Sequence, residues 1–272
     1  MIDTVLIFIG VFCIAFAFAP VGLGGGMLFV PLLHYVADMP IDGTLLAVSL
    51  SLTAVVSYGS GLAHRKNGHH DDEAIKSALW GAIPGALFGV GIVALLGENL
   101  DSVFKMVSVV ILIWALIKTR KKLMVGDIKE EVNLEENIAS IDHLNLRLGA
   151  ATGGTLSSVL AIGAGVIYVP VLQQNAGLST RKSIGSSLHI MMVVVPLAII
   201  THLALISTSE RNTLLEQIDV LFVLPILTFL GARLGAQFGM KYISPPNIMK
   251  IFMAFTAIVL IRYLWDLSGV IP

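Results

Sequence analysis

Gly24-Gly25-Gly26-Met27-Leu28-Phe29-Val30-Pro31-Leu32-Leu33 returns 139 positions later as Gly163-Ala164-Gly165-Val166-Ile167-Tyr168-Val169-Pro170-Val171-Leu172. Ten positions in common, with glycines, aromatic and proline in register, make this chain two related halves. Glycine admits the positive φ of a sharp turn. Pro31 and Pro170 lack an N–H and release a carbonyl one turn back, so both are candidate structural hinges. In an apolar chain, paired Gly/Pro-interrupted segments point to a transport site, because broken helices leave backbone groups free to bind a solute.

Composition makes the chain apolar. Of 272 residues, 56% are hydrophobic and 13% charged, about half the charged share of a soluble domain; mean hydropathy is +0.88. Long uncharged runs then read as bilayer spans, since about 20 apolar residues cross the hydrocarbon core. The runs are continuous rather than alternating, which argues against a barrel. The fold class is an all-α polytopic membrane protein whose first partner is the lipid bilayer. A net charge of −1 suggests no nucleic-acid role. Cys13, the one cysteine, excludes an internal disulfide. The apolar start has Ala-Phe-Ala at 17–19, but Asp3 stands where a signal peptide is basic and Pro20 follows, so it reads as a retained segment.

Apolar stretches fall at about 2–20, 24–37, 41–63, 74–96, 102–117, 146–160, 164–176, 183–206, 220–241 and 248–266. The stretches flanking each glycine motif are too close for an ordinary loop, so each pair is one broken crossing or a re-entrant V. Basic residues cluster at Arg65/Lys66, at Lys118, Arg120, Lys121 and Lys122, at Arg181/Lys182 and at Lys241. Only the V places all of them on one face, which the positive-inside rule makes cytoplasmic, with both termini outside. A V plus three spans per half is an odd number of crossings, so the halves are inverted repeats. The expected organisation is a first repeat at 1–117, a cytoplasmic polar connector at 118–145 with a surface helix from Asp127 to Asp142, and a second repeat at 146–272. The connector reads as a solvated linker, a regulatory role staying open. Gly81, Gly85 and Gly89, and again Gly231, Gly235 and Gly239, form small-residue stripes suited to close helix packing in lipid.

The candidate site starts from the turns at Gly24, Gly25 and Gly26 and at Gly163, Ala164 and Gly165. A helix N-terminus aimed at a wet cavity offers N–H donors and partial positive charge, which suits an anion; a simple kink is the alternative. Ionisable residues within spans are candidates by default. Arg233 lies mid-segment, where the first half has Leu87, and its guanidinium fork matches oxyanions; a carbonyl-paired structural role competes. His189 follows Ser186 and Ser187, and Ser187 corresponds to Ser49; these hydroxyls and the imidazole could contact an oxyanion or carry a proton, against the reading of His189 as a satisfied interior histidine. His34 and His202 read as interfacial, and Gln173/Gln174 as vestibule or loop. No Asp or Glu lies deep in a span, which tilts the solute towards an anion. His64, His69, His70, Asp71 and Asp72 could catch a metal but read as a solvated turn. The glycines lack the βαβ setting of a dinucleotide site, no HExxH or nucleophile motif is present, and neither cofactor, metal nor enzyme activity is expected.

With these motifs in hand, the chain resembles the TauE/SafE sulfite-exporter family of membrane permeases. The resemblance rests on the repeated glycine-proline motif, the small-Ser-Leu helices at 47–50 and 185–188, the GAxxG helices at 85–89 and 231–235, and the loop Arg65-Lys66-Asn67-Gly68. It covers all but the connector. It implies a two-repeat carrier exporting sulfite, organosulfonates or related sulfur anions across the cell membrane. Protons are a candidate coupling ion through His189, and a homodimer is one arrangement the sequence allows. An anion channel and a non-transporting membrane assembly factor stay as alternatives. The Gly163-Ala164-Gly165 turn departs from the glycine triplet of the first motif and is expected to be less open.

Overall fold

A computed structural model describes residues 2–19, 25–125, 141–216, 218–242 and 245–269, and every extended element among them is a helix. In chain order these are α1 (Ile2–Phe18), α2 (Gly26–Val36), α3 (Gly43–Lys66), α4 (Asp72–Leu96), α5 (Leu100–Val125), α6 (His143–Leu160), α7 (Gly165–Ala176), α8 (Thr180–Leu205), α9 (Thr208–Glu216), α10 (Ile218–Tyr242) and α11 (Pro245–Leu267). The apolar stretches match these helices to within a few residues, except that α5 runs on through the basic cluster from 118 to 125. The polar helix α9 lies in a segment that hydropathy alone leaves as loop. The expected surface helix falls mostly on 126–140, outside the described residues, while α5 itself continues as far as Val125.

Local chemistry sets the helix ends. Asp42, Asp71 and Asp142 are N-caps, accepting from the backbone N–H of Leu45, Ala74 and Asn145 respectively, which satisfies donors that the first turn cannot use. Left-handed Gly177 closes α7. Gly97, at φ 48°, ends α4, and a single 3-10 turn leads into α5.

Each glycine motif lies at the tip of an antiparallel helix pair. In α6 and α7, Gly149 lies against Val171 and Gly153 against Tyr168, and Asp142 N–H donates to the Asn175 carbonyl at 2.8 Å, joining the open ends. In α1 and α2, Gly10 lies against Leu32, the same pair of positions moved by 139. A single crossing would have carried α7 onward from α6; the observed pair turns back, as the V requires.

The halves interlock. Gly81, Gly85 and Gly89 of α4 seat on the backbone of Arg147, Ala151 and Thr155 in α6, and Gly231 and Gly235 of α10 seat on Phe12 and Phe16 in α1. The second set repeats the first with the halves exchanged. Backbone contact of this kind needs the missing Cβ and replaces hydrophobic association where lipid is the solvent.

Between these layers α3 and α8 run antiparallel: Tyr58 donates to the Met192 carbonyl at 2.8 Å, Gly61 faces Leu188, and His64 faces Gly185. α5 and α11 are pinned by Phe104 set edge-on to Tyr263 and by Lys105, which bonds Asp101 at 2.8 Å and Asp266 at 2.6 Å. The outside is apolar, with Leu95 89% and Trp80 75% exposed, which suits lipid rather than water. The stretches Gly43–Lys66, Asp72–Lys121 (broken at Gly97) and Thr180–Leu205 are long and apolar enough to cross a bilayer.

Candidate substrate site at the paired glycine turns

The two tips meet midway along α3 and α8. Gly26, the first residue of α2, abuts the Ala161 carbonyl of the second turn, and a Cβ there would also lie 2.7 Å from Thr53 Oγ1. A Cβ on Gly163 would lie 2.5 Å from both Thr53 Cγ2 and Met191 Cε. Thr53 is therefore wedged between the turns, its hydroxyl towards one and its methyl towards the other. Thr53 and Met191 are separated by 138 positions, the same step as Ser49 and Ser187. Ser49 Oγ reaches the Ala161 carbonyl at 3.5 Å.

Neither α2 nor α7 has a side-chain cap. Their N-cap residues, Gly25 at φ 74° and Ala164 at φ 55°, are left-handed. In the second turn Ala161 and Gly163 are left-handed too, and each alanine there costs about 1–2 kcal/mol relative to an ordinary helical conformation. Uncapped N-termini direct helix dipole and N–H groups into the space between the tips. The cavity beside them, lined by Met27, Ser108, Ile162 and Tyr263 among others, measures about 10 Å³, room for no more than about one water.

Between the tips the Thr53 hydroxyl is buried without a hydrogen-bond partner, as are those of Ser157 and Ser158 further back along α6. An unpaired buried hydroxyl costs about 1–3 kcal/mol, so Thr53 between the turns marks a place for a polar occupant. All three escape the sequence reading. The available signal was Ser49-Thr53-Ser57, hydroxyls at helical spacing along one face of α3, each 0% exposed.

Of the residues expected at the site, Gly25, Gly26, Gly163, Ala164, Gly165 and Ser49 stand at or beside the turns, and Ser187 points towards them, its Oγ 3.9 Å from Met191 Sδ. Gly24 lies outside the described residues. Pro31 and Pro170 sit inside α2 and α7, which continue through them. His189 and Ser186 go elsewhere. His189 donates from Nδ1 to the Gly185 carbonyl at 2.7 Å, and its ring stacks 5.5 Å from that of His70, while Ser186 Oγ accepts from Asp71 N–H at 3.0 Å. Side chains on a helix lean towards its N-terminus, which carries His189 to the α3–α4 loop. The loop histidines, expected in a solvated turn, thus pack beneath α8.

Arg233 is exposed. The face of α10 at Gly231 and Gly235 is held by α1, and Ala232 faces Gly59 of α3, so the guanidinium is turned away from the turns. His202, expected at an interface, is 2% exposed and donates from Nε2 to the Ser158 carbonyl at 3.1 Å. His34 caps the end of α2 through Met39, and Gln173 ties α7 to Thr180 at 2.7 Å. At the end opposite the histidines, cavities of about 230 Å³ and 280 Å³ flank Asp42 and Glu210. Burial first, and then the Glu210 charge, hold the Asp42 carboxyl above the usual carboxylate range, against the N–H of Leu45 that it accepts.

The all-helical, lipid-suited framework around a repeated glycine turn agrees with a match along the chain: the family described as Sulfite exporter TauE/SafE covers residues 6–263. The chain belongs to this family. It is accordingly a multi-pass membrane protein of a permease family for sulfite and related sulfur anions, whose members are transporters rather than enzymes. No curated protein and no solved structure matches the chain.

Proposed function

We propose that the protein is a secondary carrier that exports a small sulfur-containing anion, sulfite or an organosulfonate, by alternating access at the paired glycine turns. The observation that carries the reading is the meeting of two uncapped helix N-termini midway along α3 and α8, with the unpaired Thr53 hydroxyl between them. The backbone at Gly25–Gly26 and Gly163–Gly165 and the hydroxyls of Ser49, Thr53 and Ser187 would hold the anion. Arg233 would join only in a conformation that turns α10, and Ser186 and His189 would meet the anion, and protons if these are the coupling ion, on its way in.

The repeats at 1–117 and 146–272, joined by the 118–145 connector, are taken as inverted. Support comes from the antiparallel run of α3 and α8, which hold equivalent positions in the two halves: a two-fold axis relating them must lie across the helices, in the bilayer plane. Exchanging the conformations of inverted halves converts an inward-open carrier into an outward-open one. With the basic loops and connector in the cytoplasm and both termini outside, an interior-negative potential favours anion exit by about 2.3 kcal/mol per charge per 100 mV.

The narrow cavity at the tips favours an occluded carrier over an open channel. Flux of radiolabelled sulfite in proteoliposomes tests the reading, with unlabelled sulfite or taurine on the far side. A carrier shows saturable flux accelerated by substrate on the opposite side. Flux without such acceleration would favour the channel, and no flux for sulfite, thiosulfate or taurine would favour the assembly factor.

A further inference from the structure

A second polar centre lies at the basic end of α3 and α8, apart from the glycine turns. His64 closes α3, His69 and His70 form the loop, and His189 reaches down from α8. Ring centroids of His70 and His189 are 5.5 Å apart and those of His64 and His69 5.8 Å. Loop and helix are locked together: Gly185 leaves no space for a Cβ against the His69 carbonyl, and Ser186 accepts the Asp71 N–H. His64 is 7% and His189 9% exposed.

Three nitrogens of this cluster are buried without a partner: His64 Nδ1, His70 Nδ1 and His189 Nε2. The carbonyl of Gly185 fixes the His189 proton on Nδ1, so Nε2 is a bare lone pair that becomes a donor only on protonation. A shared metal ion does not fit, because no three His, Cys, Asp or Glu side chains among the described residues stand within reach of one cation.

The charges around the cluster are Arg65 and Lys66 at the end of α3, the N-cap Asp71, Asp72, Glu73 and Lys76 on α4, and Arg181 and Lys182 on α8. Asp72 stands 3.9 Å from His70 Nε2, and Glu73 is met by His143 of α6 at 3.8 Å. On α10, which packs on α3, Arg233 is exposed. Burial first, and then the Arg181 and Lys182 charges, hold His69 below the ordinary imidazole range. The Arg181 and Lys182 charges attract an oxyanion to the cluster, and an anion standing among the imidazoles favours their charged form.

We propose that His64, His70 and His189, with the leftover hydroxyl hydrogen of Ser186, form a proton-linked oxyanion site at the basic end of α3 and α8. An oxyanion docking there converts bare imidazole nitrogens into N–H donors, and the protons leave as it moves on. The site rests on the anion-transport reading and adds a loading station to it.

Calorimetry of sulfite binding to the detergent-solubilised full chain, in buffers of different ionisation enthalpy near pH 6.5, measures protons taken up per anion. Sulfite's own protonation cancels between variants. Wild type should take up more protons per anion than His70→Gln or His189→Asn, by up to about one, and His34→Gln, outside the cluster, should match wild type. Thermal unfolding of the free variants checks that they fold, and His70, only partly buried, serves where His189→Asn does not. Sulfite binding with equal proton uptake in wild type and His70→Gln overturns the site and leaves transport standing, as does an equal loss in His34→Gln. No binding of sulfite, sulfate or thiosulfate by wild type overturns both.

Discussion

The first and second glycine turns carry the same motif but are built differently. At Gly25 the left-handed residue is a glycine, and Gly26 beside it packs directly onto the Ala161 carbonyl of the other half. At the equivalent of Gly25 the second turn has Ala164, fully buried and left-handed, and Ala161 is left-handed as well. The first turn is thus selected for close contact, while the second holds a conformation that its own residues disfavour. Strain of this kind survives only where the surroundings over-determine it. Here the surroundings are α3 and α8, with Thr53 on one side and Met191 on the other. Under the proposed alternating access, the second turn is the one to yield, because moving relieves its strain.

Breaking the close contact should have the largest effect. Gly26→Ala drives a Cβ into the backbone of the second turn, a clash that costs at least about 1–3 kcal/mol. Thermal unfolding should show a lowered midpoint and proteoliposomes should show little sulfite flux; wild-type values for both would mean that the tips do not meet in the working protein.

Thr53→Val separates shape from chemistry at the wedge. Removing an unpaired hydroxyl should leave stability equal or higher. Losing a donor to an anion worth about 1.5–3 kcal/mol should slow flux by about tenfold or more. Wild-type flux with raised stability would make Thr53 a packing residue only.

Ala164→Gly makes the second turn resemble the first. Relief of the left-handed alanine should stabilise by about 1 kcal/mol, read as a small rise in the unfolding midpoint, and trans-acceleration should weaken if the strain drives opening. A lowered midpoint would show that the alanine methyl contributes more by packing than its backbone loses.

Arg233→Leu gives α10 the residue that α4 has at Leu87. For an exposed position the expected change is smallest, within about twofold in flux and about 0.5 kcal/mol in stability. A tenfold loss of flux would place Arg233 at the substrate in a conformation other than this one.

Much of this framework was legible in the chain, because helix length, caps and turns follow from local pattern. The repeat at 24–33 and 163–172, the apolar stretches and the charge clusters led to the helices, the pairs that turn back on themselves and the family. The glycine stripes at Gly81–Gly89 and Gly231–Gly235 announced close packing, though not that each half packs on the other. The site was legible in part. Glycines and Ser49 were found because they belong to or mirror the motif. Thr53 was not, since its counterpart is Met191 and its role lies in what it separates.

Sequence by itself determined that this is a duplicated, helical membrane protein turning at two glycine motifs, since hydrophobic length and backbone freedom are properties of neighbouring residues. Tertiary structure alone decided which side chains meet. It sent His189 down to His70 and turned Arg233 outward, and it set Thr53 between the tips. The reason is physical. The face a helix presents inward is fixed by the partner that fits its small residues, and here that partner comes from the other half of the chain.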